Sequence, residues 1–151
     1  EGARCRSYMD GSRFMLSPET SIATQRIIGS DIMMAMDQCV QSTLDWKVCS
    51  DAADITARWA ERSLGARGDS AQSIFGIVQG ACYEDLRRRS AEQITSLPFD
   101  GYAIGGLAVG ETGEKRNEIT GLTASLLPQG FPRYLMGVGT AGRSVYFARE
   151  D

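Results

Sequence analysis

The chain has 151 residues, enough for one ordinary domain with a packed core. Hydrophobic residues make up 42% and charged residues 23%, the balance of a globular chain and not of a disordered one. The net charge of −3 excludes a strongly basic nucleic-acid module, though not an enzyme that touches RNA through a local patch. Histidine is absent, so no mechanism that needs an imidazole runs on this chain alone.

In chain order, Asp10-Gly11-Ser12 reads as a tight turn between two short extended pieces, a hairpin. Ser17-Pro18-Glu19 opens a helix, with a serine cap, proline at the first helical position and an acid in the first turn. That helix is expected to stop at Gly29. Residues 31–36 are a short apolar run halted by Asp37. Asp51 is read as the cap of a second helix that carries Ala52, Ile55 and Trp59 on one stripe, and residues 65–70 are the most loop-like stretch. A second apolar run, 74–78, meets Gln79-Gly80. A helix over 83–97 aligns Leu86, Ser90, Ile94 and Leu97 and ends at Pro98. Its arginines, Arg87-Arg88-Arg89, read as a solvated face, with contact to an RNA phosphate as the alternative. Residues 101–104 run into Gly105-Gly106, a helix near 115–127 aligns Ile119, Leu122 and Leu126, and a last run covers 133–138.

Apolar runs without polar alternation fit parallel strands covered on both faces. Their alternation with helices predicts an α/β fold of about four consecutive βα units preceded by a short hairpin. In such folds ligands bind beyond the carboxyl ends of the strands. Those ends carry Asp37-Gln38-Cys39, Gln79-Gly80, Gly105-Gly106-Leu107-Ala108 and Met136. One carboxylate, one carboxamide, bare glycine backbone and a thioether suit a planar heterocycle with both donors and acceptors. Each residue also has a plainer reading: Asp37 as a helix cap, Gln79 as a loop residue, Met136 as core. The cysteines, Cys5, Cys39, Cys49 and Cys82, lack the short spacing of a zinc site and read as small, reduced, partly buried side chains. No apolar run approaches the roughly 20 residues of a membrane span. The first six residues lack the apolar core of a secretory signal, so the expected setting is cytoplasmic with no membrane partner.

Several motifs together resemble the bacterial-type tRNA-guanine transglycosylase (queuine tRNA-ribosyltransferase) family. They are Arg6-Ser7-Tyr8-Met9-Asp10-Gly11-Ser12 followed by Met15-Leu16-Ser17-Pro18-Glu19, then DIMMAMDQC at 31–39, FGIVQG at 75–80, FDGYAIGGLAVGE at 99–111 and RYLMGVG at 133–139. The resemblance covers roughly residues 4–139 and implies part of a (β/α)8 TIM barrel. It implies exchange of the wobble guanine of tRNA anticodons for a 7-deazaguanine base, in bacteria the 7-aminomethyl-7-deazaguanine precursor of queuine. By motif, Asp37 would take the ring N–H and exocyclic amine of the base, and Gln79 and the Gly106 amide its carbonyl oxygen. The Leu107 carbonyl would meet the aminomethyl group beside Ala108 and Glu111, Met136 would cover a ring face, and Cys39 would line the pocket floor.

The family's double displacement runs through a carboxylate nucleophile that forms a covalent RNA intermediate, while a second aspartate moves protons. The motif of the nucleophile, an Asp-Cys-Val-Leu-Pro-Thr-Arg-like stretch, does not occur here, and Asp45, Asp51, Asp54 and Asp100 match no catalytic motif. No catalytic residue is therefore assigned. The family's structural zinc uses three cysteines and a histidine; those ligands are expected to be absent from this chain, and no organic cofactor is implied. Residues 140–151 do not look like the family's next helix and are expected to be an atypical tail after a partial barrel domain, as in an internal or frame-shifted fragment. The expected partners are tRNA, guanine and the deazaguanine, with a homodimer in the full-length family. The alternative is a non-catalytic, base-binding or scaffold subunit.

Overall fold

The computed structural model describes residues 1–139; the reading of 140–151 as a tail lies outside the described residues. Strands β1 (Ala3–Arg6) and β2 (Arg13–Leu16) pair antiparallel as the predicted hairpin, in register Ala3 with Leu16 and Arg6 with Arg13. The Asp10 carboxylate closes the turn by accepting from the Ser12 amide at 3.0 Å. Helix α1 (Pro18–Ile28) begins on a Ser17–Thr20 capping box and ends on Gly29 in the left-handed conformation.

Three βα units follow, and a final strand. They are β3 (Ile32–Met34), α2 (Trp46–Arg67), β4 (Ser73–Val78), α3 (Glu84–Thr95), β5 (Gly101–Ile104), α4 (Gly113–Leu126) and β6 (Arg133–Leu135). The four strands form one parallel sheet in the order β3-β4-β5-β6, so each is hydrogen-bonded to its neighbour in sequence. This is an α/β architecture, consistent with a stretch of a TIM-barrel fold. Ile22, Met33, Ile74, Val78, Ile94 and Ile119, each fully buried, lie at the heart of the core that joins helices to sheet. Every residue of β5 is buried.

Several predicted boundaries move. Asp45, not Asp51, caps α2: its carboxylate accepts from the Val48 amide at 3.0 Å. The first turn of that helix, Trp46, Lys47 and Val48, is exposed, so the apolar stripe begins only at buried Cys49. α2 also runs on through Gly65 to Arg67, which shortens the expected 65–70 loop. The runs at 31–36 and 133–138 contract to three-residue strands. α4 starts at Gly113 because Thr112 accepts from the Lys115 amide.

The edge strands expose large apolar side chains, with Ile32 49% and Tyr134 48% accessible. Unpaired strand edges beside apolar surface template association. The 151-residue chain is therefore expected to self-associate with rising concentration in light scattering; a monomer at all concentrations, with a sharp thermal transition, would contradict this.

Candidate base-binding site

Asp37, Gln79 and the Gly105-Gly106 pair meet beyond the ends of β3, β4 and β5. Gln79 is almost fully buried, and its Nε2 donates to the Asp37 carboxylate at 2.5 Å. A Cβ placed on Gly105 would lie 2.8 Å from Gln79 Nε2 and 3.6 Å from Asp37 Oδ2. On Gly106, whose φ is +65°, it would lie 2.2 Å from Gln79 Oε1. Only glycine permits that approach. Cys39, exposed as a residue, has a thiol close enough to sense the group: its partial desolvation and the Asp37 carboxylate push its pKa up, against the opposing influence of Gly106 and Arg87.

The helices hold these strand ends with small buried polar side chains. In α2, Ser63 accepts from the Met36 amide at 3.2 Å and Thr56 from the Gln38 amide at 3.0 Å, so the backbone on both sides of Asp37 is fixed. In α3, Ser90 accepts from the Gln79 amide at 3.0 Å. None of these was singled out for such a role from the sequence. The available signal was a Thr or Ser on an otherwise apolar stripe, two helical turns apart in α2.

The other predicted wall residues split into two places. Met136 follows β6, half-buried, and its amide donates to the Ile104 carbonyl at 3.1 Å, next to the glycine pair. Leu107 is buried in the core, whereas Ala108 is exposed with φ +62°. Glu111 stabilises that turn. Its carboxylate accepts from the Ala108 amide at 2.5 Å, the Val109 amide at 3.2 Å and Ser42 Oγ at 2.8 Å. Burial alone would raise the Glu111 pKa, but these donors outweigh it and hold the group below its ordinary value. Because a trans peptide sets C=O and N–H in opposite directions, the Leu107 carbonyl faces away from Glu111.

The reading of Arg87-Arg88-Arg89 as a solvated face is corrected at Arg87, which is completely buried. Arg88 is exposed, and Arg89 is partly buried against Asp54 and Ser50. The aspartates left without a catalytic role have structural partners. Asp45 caps α2, Asp51 pairs with Lys47, Asp54 with Arg89, and Asp100 accepts from the Ile74 amide and pairs with Arg67.

Burial raises the Asp37 pKa above its ordinary value, and the Gln79 hydrogen bond only partly offsets this. A raised folded-state pKa favours the protonated carboxyl on folding. That contribution is complete below the unfolded value of about 3.9 and is lost as pH rises through the folded value. Asp37→Asn, which does not ionise, is thus expected to gain stability on its parent as pH rises through that window. Denaturant midpoints across the pH range check it; a difference that does not change with pH would contradict it.

The sequence pattern of the family described as Queuine tRNA-ribosyltransferase matches residues 1–146. The chain belongs to this family. Queuine tRNA-ribosyltransferases of Streptococcus pneumoniae strains P1031 and CGSP14, and of serotype 19F strain G54, are each 50% identical to it over 140 residues. Those matches cover 92% of this chain but 37% of each relative, so the chain spans little more than a third of the curated relatives it matches.

Within the queuine tRNA-ribosyltransferase family a structural zinc is expected, but the residues present do not fit one. The chain has no histidine, and among the described residues no three of Cys, Asp or Glu gather into a metal-binding group. The cysteines are free and scattered, from exposed Cys39 to buried Cys49. Among the described residues no helix is long and apolar enough to cross a membrane.

Proposed function

We propose that this chain carries the base-recognition wall of a tRNA-guanine transglycosylase, built on consecutive βα units of a (β/α)8 barrel. The whole protein would exchange the wobble guanine of tRNA for 7-aminomethyl-7-deazaguanine in queuosine formation. The observation that carries this reading is the Asp37–Gln79 contact at 2.5 Å beside the bare Gly105-Gly106 backbone.

The Asp37 carboxylate has room for several donors and accepts the ring N–H and exocyclic amine of guanine as a parallel pair. Gln79 Nε2 carries two hydrogens, so one stays on Asp37 while the other reaches the ring carbonyl oxygen. The Gly106 amide is the second donor to that oxygen. When the glycosidic bond breaks, the departing guanine takes the electron pair, and its charge spreads onto the same oxygen. Two fixed donors there stabilise the leaving group. On the far side the outward Leu107 carbonyl accepts from the aminomethyl group of the incoming base, and the Ala108–Glu111 turn holds it in place. Met136 covers a ring face and Cys39 lines the floor. The nucleophile and the proton-handling aspartate are assigned to segments this chain does not contain.

The test combines two measurements on the purified chain. Calorimetric titration is expected to show guanine binding, while labelled guanine is expected not to enter tRNA. Absence of binding would defeat the recognition role, and incorporation would show that the nucleophile is present after all.

A further inference from the structure

One fully buried cation has no part in the reading above. Arg87 lies beneath the ends of β4 and β5 with no solvent exposure. Its Nε donates to the Ala81 carbonyl at 2.8 Å, its Nη1 to Val78 at 3.1 Å and Gly105 at 2.8 Å, and its Nη2 to Gly106 at 3.3 Å. All these acceptors are main-chain carbonyls. Burial lowers the Arg87 pKa to about 10, so the group is still a cation at neutral pH. A buried charge is costly, and an apolar side chain of similar volume often fills such a space more favourably. What an apolar side chain does not supply is a planar fork that fixes several carbonyls at once.

The fork determines which way the glycine peptides face. The Gly105 carbonyl and the Gly106 N–H belong to one trans peptide and point in opposite directions. With the carbonyl held on Arg87, the Gly106 N–H is turned to the other side, away from the guanidinium. The Val78 carbonyl, in the peptide that leads into Gln79, is held by the same nitrogen. Ala81, at the unusual φ of +50°, brings its carbonyl onto Nε. One guanidinium therefore ties together the two strand ends that carry Gln79 and Gly106.

We infer that Arg87 is the positioning residue that aims the Gly106 amide at the ring carbonyl oxygen of the bound base, and so sets how strongly the site prefers that oxygen to a poorer acceptor. The inference rests on the base-recognition reading and deepens it. Guanine and 6-thioguanine share the edge that Asp37 would take but differ at this one acceptor, so they are the probes.

In titrations the unsubstituted chain is expected to prefer guanine. Arg87→Lys, a point charge without the fork, is expected to lose about tenfold in guanine affinity and little for 6-thioguanine, so the preference collapses. A purely structural role would weaken both ligands equally, and that result would overturn the inference. Asp37→Ala serves as the reference for the base site and is expected to weaken both ligands. If the unsubstituted chain binds neither base, or Asp37→Ala changes neither affinity, the base-recognition reading fails and this inference falls with it. Loss in Asp37→Ala with the preference intact in Arg87→Lys overturns the Arg87 role alone. Should Arg87→Lys not fold, the unsubstituted chain decides by NMR. Scalar couplings across the hydrogen bond from Arg87 Nη to the Gly105 carbonyl carbon should persist as guanine shifts the Gly106 amide. Absence of the coupling, or a Gly106 amide indifferent to guanine, overturns the proposal.

Discussion

Asp37→Ala is expected to weaken guanine binding by about 2–4 kcal/mol, roughly 30- to 1000-fold, while leaving the fold intact. The substitution removes the acceptor for two donors on the base and leaves Gln79 Nε2 without its partner. The fold should tolerate it because burial already disfavours the Asp37 carboxylate in the free chain. Part of what the site gives up in stability is recovered only when a ligand supplies hydrogens to that charge. Loss of affinity without loss of stability is the signature of a recognition residue. Unchanged guanine affinity in a titration would remove Asp37 from the site. The affinity should also fall on acidification at a pH above the ordinary carboxylate range, because the raised pKa of Asp37 brings protonation earlier.

Gly106→Ala is expected to cost about 1–2 kcal/mol of stability and to reduce guanine affinity by about 100-fold. The first effect arises because an L side chain is strained at φ +65°. The second arises because the new methyl would sit 2.2 Å from Gln79 Oε1, an overlap that drives the carboxamide off Asp37. A contrast lies within the same chain. Gly121 is exposed inside α4 with nothing within 4 Å of an added Cβ, so Gly121→Ala should stabilise by about 0.5–1 kcal/mol without touching binding. Thermal unfolding and titration of the two variants check both signs. Equal behaviour of the two would show that the diglycine is not in close contact with Gln79.

The parts of the fold that local chemistry dictates were legible in the sequence. Asp10-Gly11 made its turn, Ser17-Pro18 capped α1, Gly29 ended it, and residues 101–104 formed a strand with those bounds. Where the first turn of a helix overhangs solvent, the apolar pattern starts late. That is why α2 reaches back to Asp45 although its stripe begins near Cys49. Convergence of Asp37, Gln79 and the glycine pair was also readable, because parallel strands deliver their ends to one side of a sheet. The supports behind them were not. Arg87 sits at the spacing of Ser90, Ala91 and Ile94, a buried helical stripe, but a charged residue within an arginine run reads as surface until its carbonyl partners are seen. Those partners lie at the end of β4 and in the segments that follow β4 and β5, and sequence spacing does not encode that juxtaposition.

A crystal of the chain grown with guanine tests the central claim most directly. The base is expected with its ring N–H and exocyclic amine on the Asp37 carboxylate and its carbonyl oxygen within hydrogen-bond distance of Gln79 Nε2 and the Gly106 amide. Guanine bound elsewhere, or with this edge turned away from Asp37, would contradict the account.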